Sequence, residues 1–416
     1  MSEETEKTPQ KSDLVAEATF TYEWLEQTLQ NPLKTKQTFV KFNSQRIAYM
    51  QGLTSRIVRV EIEWSSSKES LPSSVVLKIP TTSNLKEFHK ETKSKNDIKG
   101  DIDDFWVKAF IKVHNCECAV YSYFASFEND IKRLECYHIQ RTDADNPKGL
   151  LIFEDLRSRK GQHLKPFSEP SIDLVKDIAA ELAKLHVYSL KHTRWLEEPD
   201  VKMYLDGLLR PNRQESVDGR EKTFELMESE EFADSFSPDF VRKCRRLYED
   251  KHFMSYANTL HENMGMPPVM VHGDLFNNVY ASSEGGLLTI FDWQVVHPGS
   301  ICEDLSYYMC MTMSPETRRA ETPAILSQYY RVFTEYCQKL GLAVPFGYET
   351  VERAYERVFK FSAMCRALGS INMSRKAGED YLKLHGYEDS LLETRMRLRA
   401  IGKGLLEDVM TLEQKQ

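Results

Sequence analysis

Two stretches of alternation, RIVRVEIEW from Arg56 and SSVVLKIP from Ser73, confine the first third of this 416-residue chain to antiparallel β-structure. Side chains that alternate in character point to opposite faces of a strand, and the polar stretch SSSKESLP between the two runs predicts a β-hairpin. After Leu156 the period changes. SIDLVKDIAAELAKLHVYSL sets Val175, Ile178, Leu182 and Leu185 three and four residues apart, on one face of a helix. A chain whose pattern switches in this way has to build a sheet-rich part and a helix-rich part, so the expected class is α+β. Its length also favours two lobes over one. The reading places a disordered tail over residues 1–14, a β-rich N-lobe over 15–153 and a helical C-lobe over 154–416, joined near 153–158.

Smaller signals fill in the order. ATFTYEWLEQTLQ reads as a short amphipathic helix, and the segment from Phe105 to Phe127 as a second one. ECYHIQRT and GLLIFEDL read as strands, while the lysine-rich run TSNLKEFHKETKSKNDIKGDIDD reads as a solvated connector or irregular helix. The region from Pro199 to Met264 is mostly helical in pattern, and so is the chain from Glu303 onward. Between them VMVHGD and LLTIFDW form two short apolar strands, each running into an aspartate.

Composition narrows the function classes. A net charge of -8 gives no broad basic surface for nucleic acid. No apolar run reaches 18 residues, so no membrane span is expected. The polar start MSEETEKTPQKSD lacks the apolar core of a secretory signal, and a cytoplasmic location is expected. The eight cysteines contain no CxxC pair, which suits free thiols in a reducing compartment. His114, Cys116 and Cys118 suggest zinc only superficially, because on a helix residue 116 points away from the face shared by 114 and 118.

Phosphoryl transfer from ATP needs few protein parts: a lysine on the phosphates, an acid that fixes it, an Asp that takes the hydroxyl proton, and an Asn/Asp set for magnesium. Each has a candidate here. Lys78 lies among apolar residues on a strand, where an ammonium needs a partner unless it reaches water from a sheet edge. Glu117, on the following helix, can pair with it. Gly52 and Ser55 sit in a turn entering a strand, which can offer N–H groups and a hydroxyl to a phosphate, although no glycine-rich phosphate loop is present. Asp274 is the candidate base, Asn277 or Asn278 a candidate magnesium ligand through its amide oxygen, and Asp292 the second metal ligand. The plainer alternative is a hairpin with polar turn residues. His272 and Asp304 are read as supports of the Asp274 loop, Asp304 being otherwise a helix N-cap.

Taken in order, these motifs resemble the choline-kinase and aminoglycoside-phosphotransferase superfamily, and within it the CHK kinase-like, or ecdysteroid kinase-like, family. The resemblance rests on the Gly52–Val60 turn, the Val76-Leu77-Lys78-Ile79-Pro80 strand, the His114–Tyr121 helix, the Leu151–Leu156 hinge, HGD at 272–274, FDWQ from Phe291, and Gly299 followed by Asp304. It implies a two-lobed protein-kinase-like fold that binds ATP and Mg2+ and phosphorylates a hydroxyl of a small metabolite, steroid-like or choline-like molecule. It assigns Lys78 and Glu117 to phosphate anchoring, Glu154 and its neighbour Leu156 to adenine contacts, Asp274 to catalysis and Asp292 to magnesium. One departure stands out. The family sets the metal-binding Asn five residues after the Asp; here that position is Val279, and Asn278 is four residues on. The shortened loop supports an alternative expectation, a kinase-fold binding protein with weak or no turnover. HRD, DFG and APE motifs are absent, which argues against a protein kinase. The acceptor pocket is expected from Trp293, Tyr307, Tyr308 and FKFSAMCRALGS, unless these residues are core. No obligate protein partner is expected.

Overall fold

The computed structural model describes residues 9–15, 20–47, 54–67, 70–81, 102–143, 148–202, 214–249 and 260–414. The Gly52 turn, the lysine-rich run up to residue 101 and the first eight residues of the tail lie outside these. The chain divides into two compact units, one of residues 1–128 and 133–160 and one of 129–132 and 161–416. The expected boundary near residue 153 therefore moves to Lys160, and residues 129–132 belong to the second unit.

The first unit is built on five antiparallel strands, β1 (Phe39–Ile47), β2 (Ser55–Trp64), β3 (Ser74–Pro80), β4 (Cys136–Gln140) and β5 (Leu150–Glu154), in the order β1-β2-β3-β5-β4. Alternation sorts their side chains. Val58, Val60, Ile62 and Trp64 of β2, with Val75 and Leu77 of β3 and Leu150 and Ile152 of β5, share one core with Leu25 and Leu29 of helix α1 (Tyr22–Gln30). The opposite face of β5 meets helix α2 (Ile102–Ala125), where Phe153 packs on Tyr121 at 4.9 Å between ring centroids. Helix α1 starts later than its apolar pattern suggests because Thr21 caps it, its hydroxyl accepting the Trp24 N–H at 3.2 Å.

The second unit is helical, with α3 (Ile172–Lys191), α4 (Gln214–Met227), α5 (Pro238–Glu249), α6 (Glu303–Thr312), α7 (Pro315–Lys339), α8 (Tyr348–Met373), α9 (Glu379–Leu384) and α10 (Leu391–Glu413) as its main elements. α3 packs on α7, and α8 on both α6 and α10. The anticipated face of α3 is buried: Val175, Ile178, Leu182 and Leu185 are each at most 1% exposed. Two small antiparallel sheets are set among these helices. β7 (Val269–Val271) pairs with β10 (His297–Gly299), and β8 (Val279–Ser282) lies between β6 (Gly161–His163) and β9 (Leu287–Ile290). VMV and LLTI thus belong to different sheets and do not form one hairpin. No helix among the described residues is long and apolar enough to cross a membrane.

Candidate functional site

In the first unit, β3 is the central strand, so Lys78 cannot reach water from an edge. Its backbone neighbours are Ile57 on β2 and Leu151 on β5. Leu77 points into the α1 core, and alternation turns Lys78 to the other face. There its Nζ lies 2.5 Å from Oε2 of Glu117 on α2, with the two side chains 10% and 2% exposed. An ion pair this dry is costly to assemble unless it also engages other groups, and its presence in a small unit points to use.

The end of the same sheet is held by charge. Asp155 follows β5 and accepts from Ser74 Oγ at 2.8 Å and from Arg59 Nε at 2.8 Å. Burial pushes its carboxyl up, but the Ser74 hydroxyl, the Arg157 amide and Arg59 together hold it below the ordinary carboxylate range. The Glu154 carboxylate accepts from the Glu135 amide at 2.8 Å and pairs with Arg159 at 2.6 Å. Leu156 is buried at the start of a short 3-10 turn, and Ser55 is buried opposite Pro80. His114 Nε2 lies 2.9 Å from the Gln140 carbonyl oxygen and 3.4 Å from Cys118 Sγ. Among the described residues no group of three or more His, Cys, Asp or Glu residues could hold a metal ion.

In the second unit, Asp274 lies in the loop between β7 and β8, and Asp292 follows β9. The two strands are in different sheets, and the backbone is tied across the gap. His272 is fully buried. Its Nδ1 accepts the Asp274 N–H at 3.2 Å, which leaves Nε2 to donate to the Phe291 carbonyl at 2.9 Å. One imidazole therefore braces the residue before Asp292 and the amide of Asp274. Asp304, near the start of α6, accepts the His272 N–H at 2.7 Å and the Gly273 N–H at 2.8 Å. It lies inside the helix and is not its cap; the cap residue is Cys302. Gly273 has φ +84, and a Cβ there would stand 2.7 Å from the Val295 carbonyl oxygen, so only glycine fits this turn. Asp292 itself takes φ +65, an uncommon backbone for a non-glycine residue.

Val279, at the position where an Asn would be expected, is buried in β8 and pairs with Ile290. Asn278 continues that ladder, its carbonyl accepting the Phe291 N–H at 3.0 Å. Asn278 is therefore opposite the residue that precedes Asp292. Its Nδ2 donates to the Asp274 carbonyl at 2.6 Å, so Oδ1 is the atom it can offer a cation. Asn277 is engaged differently, its carbonyl lying 2.6 Å from His163 Nε2.

Electrostatics reports the same proximity. Burial, and after it the charge of Asp292, raises the Asp274 carboxyl above its ordinary value, against the Tyr307 hydrogen bond and the charge of Arg366. The Tyr307 hydroxyl donates to Asp274 Oδ1 at 3.0 Å. Tyr381 on α9 feels the Asp274 charge as well. Of the residues expected to line the acceptor pocket, Trp293 and Tyr308 are core at 0% and 1% exposure, and Phe359 is buried beneath Arg318. Tyr307 reaches the site, and so does Arg366 from FKFSAMCRALGS. Arg366 and Tyr381 carry no motif, and their approach to Asp274 depends on how α8 and α9 pack.

Comparison with known proteins adds two worm relatives and a distant structural likeness. The chain is 24% identical over 320 residues to the Caenorhabditis elegans “Uncharacterized oxidoreductase dhs-27”, covering 74% of this chain and 37% of that protein. It is 34% identical over 135 residues to a C. elegans “Uncharacterized kinase-like protein”, covering 30% of this chain and 35% of that one. The matched parts thus span little more than a third of either relative. Among solved structures, an ethanolamine kinase of Plasmodium vivax is similar with a TM-score of 0.37 at 13% identity, covering 87% of this chain and 82% of that one. A family model matches residues 9–415, and the chain belongs to that family, the ecdysteroid kinase-like DUF1679, whose description reads “Uncharacterized oxidoreductase dhs-27”.

Proposed function

We propose that this protein is an ATP- and Mg2+-dependent kinase that transfers a phosphoryl group to a hydroxyl of a small molecule. One observation carries the reading. The second unit uses a buried imidazole, a buried carboxylate and a glycine-only turn to hold Asp274 and Asp292 close enough to repel each other. Such a pair is unfavourable in the free protein and suits a divalent cation, since magnesium binds through one or two carboxylates and completes its shell with phosphates and water. Asp292 and the Asn278 oxygen are the ligands the chain supplies. Bound there, magnesium would offset negative charge on the transferred group.

The remaining roles follow from position. Asp274 orients the acceptor hydroxyl and takes its proton. Its raised pKa makes it a stronger base than a solvated aspartate. Tyr307 fixes one of its oxygens, leaving the other for the acceptor. Lys78, anchored by Glu117, supplies a positioned ammonium for the nucleotide phosphates, and Ser55, Glu154 and Leu156 are assigned to the nucleotide.

Two other readings bear on the assignment. A nucleotide-binding protein without transfer is favoured by the short loop, in which the Asn278 amide is tied to the Asp274 carbonyl. The oxidoreductase in the worm relative's name belongs to a protein of which this chain matches 37%. Dinucleotide folds use a parallel sheet and a glycine fingerprint, whereas the strand pairs described here are antiparallel. The test is transfer of label from γ-labelled ATP to a panel of hydroxylated small molecules, with Asp274→Asn as control. The expected result is transfer that falls roughly 10²–10⁴-fold in the variant, the usual share of a general base. Transfer unaffected by the substitution, or ATP binding with no transfer to any acceptor, would overturn it.

A further inference from the structure

The guanidinium of Arg366 lies over the Tyr307 ring, its Cζ 3.8 Å from the centroid. The Tyr307 hydroxyl in turn donates to Asp274 at 3.0 Å, so the cation is one aromatic ring removed from the candidate base. Arg366 is half-buried on α8, and no hydrogen bond or ion pair to a described residue engages it. This sets it apart from the other half-buried arginines of the unit. Arg395 bridges Glu231 and Glu379 at 2.7 and 2.8 Å, and Arg245, also over a ring, pairs with Glu228 at 3.2 Å. An arginine held over a ring, with its N–H groups engaged by no described residue, can receive a carboxylate, sulfate or phosphate through two parallel hydrogen bonds.

We propose that Arg366 binds an anionic group on the acceptor, so that the substrate class is a hydroxylated acid or acidic conjugate. This proposal rests on the kinase reading above. Contact with the Tyr307 ring restrains the guanidinium, which lowers the entropy lost when it is engaged. The same charge disfavours acceptors bearing an ammonium, because a cation beside Asp274 would meet Arg366 at short range in a partly desolvated site. Burial, and after it the charge of Asp274, raises the pKa of Tyr381, a partly buried ring that packs with Phe276 on the same apolar cluster. Phe276, which packs on Phe167 at 5.0 Å between centroids, adds apolar surface next in the loop. Among the described residues, the surroundings of Asp274 thus combine aromatic surface with the charge of Arg366.

Two measurements test this. First, sulfate is titrated calorimetrically into the wild-type protein, Arg366→Met and Arg366→Lys in the presence of saturating MgADP. The expected result is affinity reduced about 10- to 100-fold in the methionine variant, with a smaller loss for lysine, which keeps the charge without the fork. Equal affinity in all three overturns the proposal. Second, transfer is measured to carboxylated, neutral and quaternary-ammonium alcohols. Arg366→Met should raise KM for the carboxylated acceptors by a similar factor, leaving the KM for neutral acceptors and for MgATP unchanged. Better turnover of the ammonium alcohols by the wild type overturns the assignment. So does a fall in kcat for every acceptor with KM unchanged, which would place Arg366 on the transferred phosphoryl group. If Arg366-dependent sulfate binding is found but no alcohol is phosphorylated, the anion site stands and the kinase reading fails.

Discussion

Replacing Lys78 by methionine would leave the Glu117 carboxylate buried without its counter-ion. Glu117 is 1% exposed and its pairing distance to Lys78 is 2.5 Å, so water cannot take over the lost interaction without opening α2 from the sheet. Breaking a buried pair from one side costs roughly 3–5 kcal/mol, a large share of the 5–15 kcal/mol that keeps a typical domain folded. The double variant Lys78→Met/Glu117→Leu removes both charges and replaces them with apolar side chains of similar length. It should recover most of that loss, giving a coupling of about 2 kcal/mol or more. Urea unfolding followed by far-UV circular dichroism measures all four corners of the cycle. A single-variant loss below about 1 kcal/mol, with no recovery in the double variant, would mean the pair behaves as a screened surface contact and would refute the argument. Both variants should also lose affinity for ATP, which separates the anchoring role of the lysine from its part in stability.

Three further outcomes are expected. Asp274 has a raised folded-state pKa, so its neutral form contributes stability below the ordinary aspartate value of 3.8, and that contribution is lost as pH rises through the folded value. Asp274→Asn should therefore melt higher than wild type at pH 7, with the gap closing in acid, while transfer falls roughly 10²–10⁴-fold; a lower melting temperature at pH 7 would contradict the repulsion between Asp274 and Asp292. Gly273→Ala should destabilise by more than the ~1–2 kcal/mol of a left-handed non-glycine residue, because of the Val295 carbonyl. Gly285→Ala, with φ +95 and nothing within 4 Å, provides the strain-only comparison in the same thermal assay. His114 is held down by burial to a pKa of about 4, so stability present above 6.5 should be lost as pH falls toward 4, by about 3 kcal/mol. His114→Gln should flatten that part of the pH–stability curve, and an unchanged slope would show that His114 is not its source.

The sequence was most informative where periodicity and burial agree. Val58, Val60 and Ile62 alternate because one face of β2 meets α1, and the helical face of α3 was legible for the same reason. The Lys78–Glu117 partnership could be anticipated from motif order, but the dry setting could not, since β3 becomes central only when β5 arrives from much later in the chain. The sheets around the candidate base were hidden for a related reason. β7 and β10 are three residues each, too short to show a period, and their pairing is long-range. Trp293 and Tyr308 illustrate the limit of aromatic content as a signal, since identical chemistry serves a core. Arg366 stayed unremarked because a guanidinium on a helix has no local feature that distinguishes it from a solvated one; only the stacking on Tyr307 does.

The most direct test of the central claim is calorimetric titration of ATP into the purified protein, with magnesium and again with EDTA, for the wild type and for Asp292→Asn. Clearly tighter binding with magnesium is expected in the wild type, with a magnesium effect that vanishes in the variant, because Asp292 and the Asn278 oxygen are the proposed ligands. Binding of equal strength in magnesium and EDTA, or a magnesium effect that survives the loss of Asp292, would contradict it.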